Sequence, residues 1–344
     1  MPTATRSIIP APPLDRRSFL KQGVLTAGIF AASPALVGPA PAHAQATKAA
    51  RPALPPTTFI HACMTLPYAQ FPLMRALSGI KSAGYDHVAW GLQHRGSDGQ
   101  SRDLMPLEAS PEQAGELGRL CRDFGLEPVK MFARVRPYDP NAIEGLTHRI
   151  RQAGKAGIAQ VMTYGHPPGQ DPTIWVKNLK QLGPIAADQN VLLVVKQHGG
   201  AIAGSGEALA KILREVNHPN VQMSYDAGNI AWYLNIDPVK DIATCADLVR
   251  GFCIKDHRHW PIKTTPGPGH GEIDHYRLFA PVAFTSLTMI LAYERIEPSI
   301  LRPRPPQNDP AVIDDWARSS REFIQNVIKG LQATLHADRL PPAP

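Results

Sequence analysis

The chain has 344 residues, of which 43% are hydrophobic and 19% charged, with a formal net charge of +7 at neutral pH. That is enough for one large domain with a full core. The basic side chains are scattered and form no aromatic–basic stripe, which excludes a nucleic-acid partner.

The N-terminus reads as an export signal. Asp15-Arg16-Arg17-Ser18-Phe19-Leu20-Lys21 is a twin-arginine pattern, a mildly apolar segment runs from Gly23 to Val37, and Ala42-His43-Ala44 supplies a small-x-small cleavage site. The segment is short and broken by Pro34, so it is no membrane span, which needs about 20 apolar residues. Residues 1–44 are therefore expected to be removed in transit to the periplasm, leaving a net charge of +4. Residues 45–56 read as a proline-bearing linker, 57–335 as the folded domain and 336–344 as a tail.

From Thr57 onward, apolar runs alternate with amphipathic ones. Strands are predicted at Phe59–Met64, His87–Gly91, Glu127–Ala133, Ala159–Tyr164, Val191–Lys196, Val221–Tyr225, Gly251–Ile254 and Leu287–Tyr293. Helices are predicted at Phe71–Gly84, Ser110–Gly125, Asn141–Ala156, Ile174–Ala187, Gly206–Val216 and Pro238–Ala246. Ser110-Pro111-Glu112-Gln113 is a helix start, with a serine cap and proline in the first turn. Gly84, Gly125 and Gly157 each follow a helical run, as a C-terminal glycine does. Eight strands alternating with helices predict an α/β fold, a closed (β/α)8 TIM barrel in one domain, over an open doubly wound sheet. An open sheet is disfavoured because no GxGxxG loop follows the first strand.

Several strands end in polar residues, where barrels carry their chemistry. Val191-Leu192-Leu193-Val194-Val195 runs into Lys196-Gln197-His198, and alternation puts Lys196 and His198 on one face. Asp226 ends the next apolar strand and must be paired, hydrogen-bonded or metal-bound. Lys255 and His257 share a face after the following strand. The four cysteines, Cys63, Cys121, Cys245 and Cys253, lack any paired spacing and sit inside predicted elements, so buried free thiols are expected.

Three stretches, Ser224-Tyr225-Asp226-Ala227-Gly228-Asn229, Gly251-Phe252-Cys253-Ile254-Lys255-Asp256 and Pro266-Gly267-Pro268-Gly269-His270-Gly271-Glu272-Ile273-Asp274, resemble the xylose-isomerase-like TIM-barrel superfamily. Gly84-Tyr85-Asp86-His87-Val88-Ala89-Trp90 resembles its second strand. That superfamily includes the sugar phosphate isomerases/epimerases and is related to the family-two AP endonucleases. Its typical members hold a divalent metal through a Glu, an Asp, a His and a second Glu on consecutive strands. The resemblance implies Asp226 as the aspartate, with Asn229 beside it, and Glu294 as the last glutamate. The first glutamate is replaced by Lys196 and the histidine by Cys253.

These departures put the metal (Mn, Mg, Co or Zn) in question. Lys196 has several open roles: a neutral base or nucleophile, a charged substitute for the cation, or an ion-pair partner of Asp226. The metal could instead shift toward Asp226, His198, His257, His259 and Glu294. Catalytic candidates are Lys196, His198 and Lys255; metal candidates are Asp226, Glu294 and His257. Substrate-contact candidates are His61, Trp90, Gln93, His94, Asn229, His259 and His270, with Tyr68, His166 and Trp232 undecided.

The resemblance implies an exported sugar isomerase or epimerase that removes a proton beside a carbonyl and stabilises the enediolate. A small carbohydrate, free or as a glycoside, is the expected partner. The alternatives are a keto-glycoside lyase or hydrolase, or a barrel that has lost its metal and only binds sugar. The endonuclease reading fails for want of a His- and Glu-rich metal set.

Overall fold

The structure, a computed structural model, describes residues 54–165, 169, 171–199, 202–298 and 307–337. The export signal, most of the linker and His166 lie outside the described residues. Eight parallel strands close into a barrel: β1 (Thr58–Met64), β2 (His87–Trp90), β5 (Glu127–Phe132), β6 (Gln160–Tyr164), β7 (Leu192–Lys196), β8 (Val221–Tyr225), β9 (Val249–Ile254) and β10 (Thr288–Tyr293). The seam is β1 against β10, with Thr58 beside Thr288 and Cys63 beside Tyr293. The predicted (β/α)8 barrel is therefore the observed fold, strand for strand.

The main covering helices are α1 (Leu73–Ser82), α2 (Pro111–Asp123), α3 (Ala142–Ala156), α4 (Pro172–Asp188) and α5 (Gly206–Val216). Local chemistry sets their ends. Ser110 and Gln113 form a reciprocal capping box on α2, while Asp171 and Ser205 cap α4 and α5. Gly84, Gly125 and Gly157 take φ of 87°, 72° and 77°, the left-handed region that favours glycine at a helix exit. Not anticipated were an antiparallel hairpin of β3 (Gln93–Arg95) and β4 (Ser101–Asp103), the short helices Ala227–Leu234 and His275–Phe279, and a 28-residue helix, here α9 (Pro310–Ala337). Short helices α6 (Ala227–Leu234), α7 (Pro238–Ile242) and α8 (His275–Phe279) follow β8 and β9. Helix α9 spans the start of the seam, where Gln332 Nε2 donates to the Thr57 carbonyl at 2.9 Å and the Ala283 carbonyl at 3.3 Å, and its Asp314 accepts from Tyr68 Oη at 3.0 Å and Arg75 Nη2 at 2.7 Å.

The apolar material forms two layers. Trp90, Leu193, Val195, Tyr225 and Phe252 face outward under the helices. Small residues inside the barrel, Ala62, Ala89 and Ala292 among them, form a separate inner cluster. Their smallness, with Gly251, leaves room for long polar side chains to cross the interior. Bulges precede Lys130 in β5 and Gly251 in β9, and a Cβ at Gly251 would lie 3.3 Å from Lys130 Nζ. All four cysteines are buried and free, as their positions predicted.

Candidate active site

Four strands deliver the site. Lys196 ends β7, Asp226 follows β8 as the cap of α6, Cys253 and Lys255 sit at the end of β9, and Glu294 follows β10. Lys255 Nζ lies 2.6 Å from Asp226 Oδ2 and 3.1 Å from Glu294 Oε2. Lys196 Nζ lies 2.9 Å from Glu294 Oε2 and 3.2 Å from Asp226 Oδ2. Two ammonium groups and two carboxylates thus alternate in a closed ring. The Cys253 thiol donates to Glu294 Oε2 at 2.6 Å.

The backbone around the ring is held by its neighbours. Asp226 Oδ1 accepts from the Asn229 amide at 2.9 Å, while Asn229 Nδ2 donates to the Gln197 carbonyl at 2.8 Å. Gln197, pointing away from Lys196, accepts from the Asp226 amide at 3.0 Å. Gly228 lies under Lys255, where a Cβ would come within 2.3 Å of Lys255 Cγ.

Burial and charge set the protonation states. Burial disfavours the Lys196 ammonium, but the Glu294 and Asp226 carboxylates outweigh it, so Lys196 is held charged well above the usual lysine range. Lys255 is pushed up in the same way, burial being outweighed by the Asp226 and Glu294 carboxylates. Burial acts against the Glu294 charge, yet Lys196 and Lys255 hold its carboxyl well below the usual range. Burial, then Glu294, pushes the Cys253 thiol up, so it stays protonated. Of the roles left open for Lys196, the charged ones match its place between Asp226 and Glu294.

Below the ring lies a third lysine that was not singled out. Lys130, fully buried, donates to Ser224 Oγ at 3.1 Å, and burial lowers its pKa to about 8. The one signal for it was a charge in the middle of an apolar run, Pro128-Val129-Lys130-Met131-Phe132.

Above the ring, His198 lies between the Tyr164 and Tyr233 rings, with centroids 5.0 and 5.4 Å away. Burial and then Lys196 lower its pKa to about 4, leaving a neutral imidazole. Asn229 reaches the ring, 3.4 Å from Lys255 Nζ. The other candidates are not brought together with these. His257, proposed as a ligand, turns aside with its ring edge toward Trp232 and lines a separate cavity of about 410 Å³ with His259, Glu272 and Arg277. The His259 amide donates to Glu272, and the His270 carbonyl accepts from Arg258. His61 faces α9 and meets Tyr293 Oη at 2.6 Å, while Trp90 is buried under the helices. His94 sits on the hairpin, 3.0 Å from the Phe71 carbonyl. Tyr68 is bound to Asp314.

With this geometry in view, the profile of the xylose isomerase-like TIM barrel family matches residues 77–324. The chain belongs to that family. Solved structures share its architecture. A xylose isomerase-like TIM barrel/4-hydroxyphenylpyruvate dioxygenase fusion protein is 16% identical, with a TM-score of 0.63. The match covers 84% of this chain and 45% of the fusion, so this barrel spans less than half of that protein. An L-ribulose 3-epimerase is 15% identical with a TM-score of 0.64, covering 83% and 99% of the two chains. A xylose isomerase-like TIM barrel protein from Mycobacterium smegmatis, in complex with magnesium, is 14% identical with a TM-score of 0.61, covering 80% and 97%. A search of curated proteins found no match.

The magnesium in that relative raises the question of a cation in this xylose isomerase-like barrel. Asp226, Cys253 and Glu294 each present a ligand atom within 4.8 Å of the others. Both ammonium groups lie against the same carboxylates, however, and Glu294 Oε2 already accepts from three donors. The two ammonium groups repel a dication about as strongly as the two carboxylates attract it, so the ring offers no net Coulomb gain to offset the ion's dehydration. The residues present do not fit a divalent metal.

Proposed function

We propose that this barrel is a sugar isomerase or epimerase that moves a proton at the carbon beside a carbonyl. The observation that carries this reading is the convergence of Lys196 and Lys255 on Asp226 and Glu294 inside the barrel mouth. Each ammonium spends two of its three N–H donors on the carboxylates. The third meets only weak partners, Cys253 Sγ at 3.7 Å for Lys196 and Asn229 Oδ1 at 3.4 Å for Lys255. A substrate carbonyl oxygen displaces these weak contacts and gains two charged donors. The same donors bind more tightly as that oxygen becomes an enediolate oxyanion, so they stabilise the transition state more than the ground state.

Glu294 is the proton acceptor in this reading. Its side chain is the most exposed of the ring, at 14%, and its ring contacts fall on Oε2. Oε1 is left to take the proton from carbon and, in an isomerisation, to deliver it to the neighbouring carbon of the enediolate; the oxyanion that forms draws both ammonium charges toward itself and so makes Glu294 a stronger base as the proton moves. Neutral His198 accepts or donates to a sugar hydroxyl rather than supplying a proton, and the Tyr164 and Tyr233 rings offer faces to sugar C–H groups. A twin-arginine address would favour a free sugar or glycoside over a phosphorylated one.

Hydrogen exchange tests the reading. Candidate ketoses and keto-glycosides are incubated with the protein in D2O, and deuterium at the carbon beside the carbonyl is followed by NMR. Exchange that is lost in Glu294→Gln supports the proposal; exchange unchanged in that variant removes Glu294 as base. The mutual neutralisation of the ring favours a second reading, a sugar-binding barrel without turnover. Saturable binding with no exchange would select it.

A further inference from the structure

The Asp226, Cys253 and Glu294 ligand atoms are close enough to grip one ion between them, and all three are held by the ends of adjacent strands inside the barrel. What they grip is nitrogen. Every ammonium–carboxylate distance in the ring falls between 2.6 and 3.2 Å. We propose that Lys196 and Lys255 are tethered cations filling a latent divalent-metal site, and that removing the Lys196 charge converts the same three ligands into a metal centre.

Three features support this. The charges balance without any ion, since two ammonium groups face two carboxylates and the thiol is protonated. A dication added to the ring would face two fixed positive charges in a buried setting, where repulsion is poorly screened. Secondly, the ligands are committed. Glu294 Oε2 accepts from Lys196, Lys255 and Cys253, and Asp226 Oδ2 accepts from both lysines. A metal would need those lone pairs and a thiolate in place of the thiol.

Thirdly, the lysines cannot readily swing away. The Lys196 ammonium lies over the Phe132 ring, 5.2 Å from its centroid, and the side chain is 1% exposed. The Lys255 stem runs directly over Gly228, and its side chain is 3% exposed. Both side chains are as confined as the ligands they neutralise, so the plug is a fixed part of the barrel. The inference concerns the site at rest and stands whichever sugar the barrel takes.

Manganese titration of the full chain tests it, after dialysis against a chelator, with calorimetry and electron paramagnetic resonance as readouts. The wild type is expected to show no saturable binding at millimolar Mn2+. Lys196→Met is expected to bind one ion per chain at least about 100-fold more tightly, because two buried carboxylates are then undercompensated. Adding Asp226→Asn to that variant should abolish the new site. Wild-type binding at micromolar Mn2+ would overturn the proposal, as would a folded Lys196→Met variant that binds no better than wild type. Circular dichroism establishes folding, and Lys255→Met serves as the second variant. Should neither variant fold, the wild-type titration still decides whether the ring accepts an ion.

Discussion

Lys255 donates to Asp226 at 2.6 Å in the centre of the barrel, where the two side chains are 3% and 0% exposed. Each charge is tolerable there only because the other is present. Asp226→Asn keeps the shape and the capping oxygen of α6 but leaves two ammonium groups facing one carboxylate. Removing one partner of a buried pair costs about 3–5 kcal/mol. Urea denaturation should show a loss of that order, and deuterium exchange into substrate should stop.

Gly228→Ala tests position without changing any charge. The new Cβ would lie 2.3 Å from Lys255 Cγ and 2.7 Å from Cδ, so the lysine must move. Alanine gains up to about 1 kcal/mol in helix propensity, and the collision costs about 1–3 kcal/mol. Stability should therefore change little, while a displacement near 1 Å lowers turnover about 100-fold. A variant with unchanged turnover would show that Lys255 need not sit where it does.

Asp256 holds the glycine-rich loop that follows β9. Its carboxylate accepts from the amides of His257 at 2.8 Å, Gly269 at 3.1 Å, Gly271 at 3.0 Å and Ile273 at 3.1 Å. Asp256→Ala strands these donors, at a cost of about 3 kcal/mol. Amide hydrogen exchange should speed up at 269–273 before it does in the strands. Gly271→Ala should act similarly, because its Cβ would lie 2.2 Å from Asp256 Oδ1.

Lys130 gives a pH dependence. Its folded pKa, about 8, lies below the ordinary lysine value of 10.5, so between these values the unfolded chain binds more protons. Stability from this group therefore rises with pH across that window, and the burial penalty is fully present below pH 8. Lys130→Met should gain on the wild type most at pH 7, with the gap closing toward pH 10.5. Thermal unfolding of both proteins from pH 7 to 10.5 checks the sign.

The strands were legible because each is an apolar run buried on both faces, ended by glycine or polar residues. Lys196, Asp226, Lys255 and Glu294 were legible because they close neighbouring strands, and closure brings those ends together. Double burial also hid something. With both faces apolar, no polar alternation marks which face is inside, so His61 and Trp90 were expected at the pocket and instead face the helices. The bulge beside Val129 masked the inward aim of Lys130 in the same way. Alternation was extended to His257, but β9 ends at Ile254 and the chain turns away. The protonation state of Lys196 lay beyond sequence reading, because it depends on distances to two carboxylates.

The seam between β1 and β10 bears on how the molecule comes to exist. Thr58 has no neighbour on that side until Thr288 has left the ribosome, and Asp314 of the clasping helix emerges later still. A growing chain is thus an unfinished sheet with open edges, prone to sticking to other chains. Closure therefore waits for β10 and α9, so deleting residues of α9 should cost soluble yield out of proportion to the number removed.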